Sequence, residues 1–222
     1  DREWAEKMHE QQIRPYSQYL LVKEGNPYWR IAVLTEEAFD HILRPMMQKT
    51  SLFLEQKGYE VEVGKFSILK KDSFQGLEER FWTGTEKIHH IELDFLTSAS
   101  FKKNGEYKIF PELLLVFNNL IRKWNVYSDS MVLGEERLGD KLAEFMCITD
   151  YRLHTHPFSV EGRRIRAFRG NIRLGLFKDD ITRRMASMLA AFADYAGIGI
   201  KTAMGMGAVH SNIAYYQKKE QL

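Results

Sequence analysis

Residues 91–95, Ile-Glu-Leu-Asp-Phe, place Ile91, Leu93 and Phe95 at every second position, the period of a strand with one face in a core. Working outward, Lys102-Lys103-Asn104-Gly105-Glu106 predicts a loop or hairpin turn. Pro111 opens a helix that carries Leu113, Phe117, Leu120 and Trp124. Strands are predicted near 147–155 and in a hairpin from Arg163 to Phe177. Asp179 or Asp180 can cap a last helix with Ile181, Met185, Met188, Leu189 and Phe192 on one side. That helix ends at Gly197, and a short strand through Val209 follows. The order is β-α-β-β-α-β.

The first part of the chain repeats the pattern with its opening missing. Residues 1–9 predict the end of a helix, so the chain is expected to begin within a domain. Apolar runs at 16–23 and 28–34 flank Glu24-Gly25-Asn26-Pro27 and predict a hairpin. Thr35 can cap a helix bearing Phe39, Ile42, Leu43, Met46 and Met47, and a strand is predicted over Tyr59–Ile68. Residues 71–86, polar with glycines at 76 and 84, predict a linker. The expected architecture is therefore α+β, a tandem of ferredoxin-like (RRM-like) βαββαβ domains with the N-terminal strand of the first absent. Its parts are a truncated domain over 1–70, the linker 71–86, a second domain over 87–216 and a charged tail over 217–222.

Composition agrees with a globular protein: 222 residues, 44% hydrophobic and 28% charged. No apolar run is long enough to cross a bilayer, and the Asp1-Arg2-Glu3-Trp4 start is unlike a signal peptide, so a soluble cytoplasmic protein with no membrane partner is expected. The single cysteine, Cys147, excludes an internal disulfide and a multi-thiolate zinc site, and is expected as a buried thiol. Charge is unevenly spread. Residues 151–184 hold nine basic side chains (Arg152, Arg163, Arg164, Arg166, Arg169, Arg173, Lys178, Arg183, Arg184) against Glu161, Asp179 and Asp180, within a chain of net charge +2. A surplus made mostly of arginine fits a polyanion, because guanidinium pairs bidentately with phosphate. In the 163–177 hairpin, Arg164 and Arg166 alternate with Ile165 and Ala167, and Arg173 with Ile172 and Leu174, so arginines can line one face and grip an RNA stem through its phosphates.

The run Gly197-Ile198-Gly199-Ile200-Lys201-Thr202-Ala203-Met204-Gly205-Met206-Gly207 brings four glycines into eleven residues. Backbone N–H groups there can approach an anionic ligand without Cβ obstruction. A purely structural role, tightening the turn from helix to strand, explains one of the glycines better than all four. A P-loop is excluded, since Ile200 precedes Lys201-Thr202 and the order is helix, loop, strand; a dinucleotide fingerprint fails on the same order. The pairs His89-His90 and His154/His156 lack further ligands for a metal site, and His154 and His156 are placed to contact RNA. His41 is expected at the surface. The tryptophans and the methionines of the last helix are expected in the core.

The glycine run, with Phe192-Ala193-Asp194-Tyr195-Ala196 before it, closely resembles the C-terminal signature of the CRISPR-associated endoribonucleases that process precursor CRISPR RNA, members of the RAMP superfamily. Leu96–Phe101, Tyr107–Pro111 and Phe117–Tyr127 resemble the same family's central segment. Met8-His9-Glu10 followed by Arg14-Pro15-Tyr16-Ser17 is similar to the segment that holds its catalytic histidine. The resemblance implies a nuclease without metal or other cofactor that cuts CRISPR repeat RNA, a hairpin, leaving a 2′,3′-cyclic phosphate and a 5′-hydroxyl. It assigns His9 to proton transfer, as acid or base. Arg14, near the family's lysine position, can stabilise the phosphorane but cannot be a base. Tyr16 and Ser17 are candidates for orienting the scissile phosphate. Arg163, Arg164, Arg166, Arg169, Arg173, Gly197, Gly199, Lys201, Gly205 and Gly207 are assigned to RNA binding. Other CRISPR-associated proteins or fused domains are further partners that it admits. Two competing readings stand beside it: a catalytically silent RNA-binding subunit of the same superfamily within a CRISPR effector complex, and a protein-interaction module whose affinity would ignore salt.

Overall fold

The computed structural model describes residues 2–134, 137–160, 162–177 and 179–216; the predicted tail 217–222, and Glu161 and Lys178 of the basic segment, lie outside the described residues. Strands β5 (Ile88–Ala99), β8 (Met146–Thr155), β11 (Phe168–Leu176) and β12 (Val209–Tyr215) form one antiparallel sheet in the order β12-β5-β11-β8. Helices α5 (Leu113–Tyr127) and α7 (Asp180–Ala196) connect them in the order β-α-β-β-α-β. This is the ferredoxin-like arrangement, with both helices on one face of the sheet. The alternation read from Ile91 to Phe95 is the reason: these three side chains are buried with Ile172 and Leu174 of β11, against Phe117, Leu120 and Trp124 of α5 and Met188, Leu189 and Phe192 of α7. The Trp124 and Phe192 rings meet edge to face at 5.2 Å. Asp179 caps α7 by accepting the Thr182 N–H at 2.8 Å.

The first half contains α1 (Arg2–Glu10) and the hairpin of β1 (Tyr16–Lys23) and β2 (Asn26–Val33), which turns at Glu24 and Gly25, both at positive φ. Next comes α2 (Glu36–Ala38), capped by Thr35, which runs through a π turn (Phe39–Leu43) into α3 (Arg44–Met46). The strand expected over 59–68 is shorter and belongs to a hairpin. β4 (Tyr59–Glu62) pairs with β3 (Ser51–Leu54), which offers only four residues to pair with. The chain as a whole is a tandem α+β fold of ferredoxin-like units.

Three other expectations change. Residues 71–86 contain α4 (Phe74–Thr83), capped by Ser73 and joined to the core through Leu77 and Phe81. A pair of apolar residues one helical turn apart outweighs the polar composition around it. The hairpin drawn from Arg163 to Phe177 is divided. β10 (Arg163–Ile165) pairs back onto β9 (Phe158–Val160), while β11 enters the sheet between β5 and β8. Alternation predicted the faces correctly and the partner wrongly, because period carries no information on register partners. Cys147 is exposed, since β8 is an edge strand and turns alternate residues to the open face of the sheet. A further small hairpin, β6 (Phe101–Lys103) with β7 (Glu106–Lys108), turns at Asn104-Gly105 as predicted, and α6 (Leu138–Glu144) precedes β8.

Candidate functional site

His9 lies exposed in the last turn of α1. The chain then bends into β1, and Arg14 holds the bend: its Nε donates to the carbonyl of Met8 at 3.0 Å, satisfying one of the carbonyls that a helix C-terminus leaves open. The other four guanidinium N–H groups of Arg14 are not engaged by that bond. Tyr16 is half-buried, its ring 6.5 Å from that of Trp4, which also stacks on His41 at 5.1 Å. Ser17 points inward. It is buried, and its Oγ donates to the Tyr195 carbonyl at 2.5 Å. Next to it, Gln18 Nε2 donates to Ala203 O at 2.7 Å and Oε1 accepts Trp29 Nε1–H at 2.8 Å. Strand β1 is thus stitched to the last turn of α7, at Tyr195, and to the middle of the glycine run, at Ala203.

The run itself is folded tightly. Gly199 and Gly207 sit at φ +91° and +64°, and a Cβ on them would lie 2.4 Å from Ser100 O and 1.9 Å from Ile198 O. No other residue fits either place. Ile198 donates to Gly207 O (2.8 Å), Gly207 to Ser98 O (2.8 Å), Ile200 to Ser100 O (3.0 Å), and Gly199 to Asn119 Oδ1 (2.9 Å). Gly197, Gly199 and Gly207 are buried, and the N–H groups expected to face phosphate are spent on protein acceptors. Packing therefore explains more glycines than sequence reasoning allowed it. What the run offers to a ligand is the exposed Lys201 and the half-buried Gly205.

Two residues that sequence reasoning passed over hold this loop. Asn119 bonds the Gly199 peptide from both sides, accepting its N–H and donating Nδ2–H to its carbonyl at 3.4 Å. Lys123 is buried, and its Nζ lies 2.9 Å from Ala196 O, 2.9 Å from Gly197 O and 3.4 Å from Thr202 Oγ1. Burial pushes its pKa down to about 7. The carbonyl acceptors at the end of α7 act the other way, since a helix C-terminus favours a cation. Asn119 and Lys123 lie one turn apart on the helix whose apolar stripe was read correctly, so a polar pair on that helix was the available signal.

The β9–β10 hairpin covers the loop. Ile165, Ala167 and Met206 form a small buried cluster with Phe158, Val160 and Ile200 against it. Alternation then turns Arg164 and Arg166 away from Ile165 and Ala167, and Arg163, at the start of β10, is exposed as well. Arg169 is exposed on β11 opposite His154 of β8. Arg173, about 13 Å further along the same strand, differs from the others. Its Nε and Nη2 both donate to Glu92 Oε1, at 2.9 and 2.7 Å, which holds the Glu92 carboxyl below its usual range. The structure thus groups Arg163, Arg164 and Arg166 over the loop and leaves Arg173 occupied by a carboxylate. His156 Nδ1 is 2.7 Å from Ser98 Oγ, beside the same loop. Among the described residues, no group of three or more His, Cys, Asp or Glu side chains is placed to hold a metal ion.

Comparison with known proteins adds to this geometry. A family model described as CRISPR-associated endoribonuclease Cas6 matches residues 93–209. A protein of that description from Streptococcus thermophilus is 30% identical over 209 residues, which cover 94% of this chain and 85% of the relative. Another, from Mycobacterium tuberculosis, is 29% identical over 213 residues, covering 93% of this chain and 66% of the relative. Among solved structures, a Cas6 product complex superposes with a TM-score of 0.79 at 22% identity, over 95% of this chain and 87% of that one. Thermus thermophilus Cas6 superposes with a TM-score of 0.68 at 21% identity, over 96% and 85%. At such identities the structural likeness is one of fold.

Proposed function

Because the chain belongs to the CRISPR-associated endoribonuclease Cas6 family, and so is an RNA endonuclease of CRISPR RNA processing, we propose that its substrate is the CRISPR repeat hairpin and that His9 moves the proton in its cleavage. The ribose 2′-hydroxyl attacks the adjacent phosphorus; the bond from phosphorus to the 5′-oxygen breaks as the 2′-oxygen bond forms. The 2′-hydroxyl proton is lost and the leaving 5′-oxygen gains one, giving a 2′,3′-cyclic phosphate and a 5′-hydroxyl without a metal. His9, exposed at the end of α1, serves one of these two transfers. Arg14 offsets the charge of the phosphorane with the N–H groups that Met8 does not use. Tyr16 orients the phosphate. Ser17 contributes by holding β1 against the last turn of α7, where the loop begins.

Arg163, Arg164, Arg166 and Arg169, with Lys201 and Gly205, hold the RNA stem by its phosphates, while Gly197, Gly199 and Gly207 shape the loop that presents them. Solved Cas6 structures include complexes with product and with a substrate mimic. The chain divides at the entry to β5, with 1–70 and 87–216 as the two units and the segment around α4 packed on the second. No helix among the described residues is long and apolar enough to cross a membrane. We place the protein in the cytoplasm, where precursor RNA is made, with other CRISPR-associated proteins as further partners. One observation carries the reading. The segment bearing His9 and Arg14 leads directly into a strand whose Ser17 is hydrogen-bonded to the last turn of α7 and whose Gln18 is hydrogen-bonded to the loop beneath the arginine hairpin.

The test is cleavage of a repeat hairpin RNA in EDTA. Cutting is expected to persist in chelator, to vanish when a 2′-deoxynucleotide precedes the scissile phosphate, and to fall by about a hundredfold or more in His9→Ala with RNA binding retained. Undiminished cutting by His9→Ala removes His9 from the mechanism, and loss of cutting in EDTA removes the metal-free reaction.

A further inference from the structure

Helix α5 reaches both parts of the proposed site. Asn119, Lys123 and Tyr127 recur every four residues, with Arg122 beside them, so they share one side of the helix. Through its middle turns that side holds the glycine loop: Asn119 brackets Gly199, and Lys123 gathers Ala196 O, Gly197 O and Thr202 Oγ1. From Arg122 and from its last residue, Tyr127, the helix holds the other part. Tyr127 OH donates to the carbonyl of Ile13, and Arg122 Nη2 donates to Gln12 Oε1 at 2.8 Å. Ile13 immediately precedes Arg14 and lies four residues beyond His9. Two segments far apart in sequence, 12–13 and 196–202, therefore hang from a single rigid rod.

An apolar side chain could fill the space of Lys123 without taking an amine out of water, so a buried lysine is a poor choice for packing alone. A hydroxyl spent on Ile13 O likewise adds no apolar contact. Both choices make sense if what matters is where the two segments lie relative to each other.

We propose that Asn119, Lys123 and Tyr127 form a positioning template on α5, which sets the separation between the RNA-gripping loop and the proton-transfer segment without touching RNA. The inference rests on the functional reading above and adds to it three positioning residues. A reacting group displaced by about 1 Å can lose about a hundredfold in rate, so a template of this kind has large leverage on cleavage.

The experiment compares Tyr127→Phe and Lys123→Gln with the wild type on a repeat hairpin RNA. It measures the dissociation constant at several salt concentrations, the single-turnover cleavage rate at saturating enzyme, and the melting temperature. Tyr127→Phe is expected to bind RNA as the wild type does and to cleave about tenfold or more slowly. Lys123→Gln is expected to weaken binding by about tenfold, with the salt dependence of both variants unchanged because no phosphate contact is lost. Should Lys123→Gln fail to fold, Asn119→Ala takes its place, with the same expectation of weakened binding at an unchanged salt slope. Wild-type cleavage by Tyr127→Phe, while His9→Ala is inactive, overturns the template. So does unchanged affinity in the loop variant, and so does a reduced salt slope, which would make Lys123 an RNA contact. If His9→Ala itself cleaves normally, the assignment of His9 fails separately, and the affinity of the loop variant still decides the template.

Discussion

Ser17 Oγ donates to the carbonyl of Tyr195 at 2.5 Å, joining the first strand of the chain to the residue two places before Gly197. The two are 178 positions apart in sequence. Ser17→Ala leaves a carbonyl without its partner, an expected loss of about 1–2 kcal/mol in stability. Well below the melting temperature its cleavage rate should stay within a few-fold of wild type. A hundredfold loss of rate with unchanged melting would instead put the hydroxyl on the RNA.

The glycines of the loop should not be equivalent. Gly207→Ala and Gly199→Ala drive a Cβ into backbone oxygens, and each should cost about 3 kcal/mol or more or prevent folding. At Gly205 the nearest atom to a Cβ is 3.6 Å away, so Gly205→Ala meets only the strain of φ +101°, about 1–2 kcal/mol. Thermal melting of the three variants orders them.

Salt titration separates the arginines. Arg164→Ala or Arg166→Ala should lower the slope of log Kd against log salt by about one, the mark of a lost phosphate contact. Arg173→Ala should change it less, because its guanidinium already neutralises Glu92. A full unit lost at Arg173 would show that RNA displaces the carboxylate.

Lys123 gives stability a pH signature. Its folded pKa, about 7, lies below the ordinary 10.5, so between these values the unfolded chain holds more protons and stability rises with pH across that window. The rise from this residue, on the order of 2–4 kcal/mol, is read as the difference between wild type and Lys123→Met in denaturant titrations from pH 7 to 10. Parallel curves for the two proteins would contradict it.

Much of the fold was legible in the chain. Ile91, Leu93 and Phe95, and the stripes of α5 and α7, follow from periods of 2 and 3.6 that burial on one face imposes. The caps Thr35 and Asp179 are local, set by residues within three positions. What was misread depended on partners. Residues 163–165 alternate as a strand should, yet nothing in that alternation says that they pair with 158–160 and not with the strand beyond. The α4 segment looked like a linker because only three apolar residues, Phe74, Leu77 and Phe81, reveal its inner face among polar neighbours.

The site divides along the same line. His9, Arg14 and the arginine cluster are candidates named from residue type, spacing and family resemblance, since a proton carrier near neutrality and a fork for phosphate each require particular side chains. That Gly197, Gly199 and Gly207 face inward, that Arg173 is held by Glu92, and that Lys123 and Tyr127 tie the loop and the His9 segment to one helix emerged only in three dimensions. Hydrogen bonds and steric exclusion act between atoms brought together from distant parts of the chain, and local pattern carries no record of which atoms those will be.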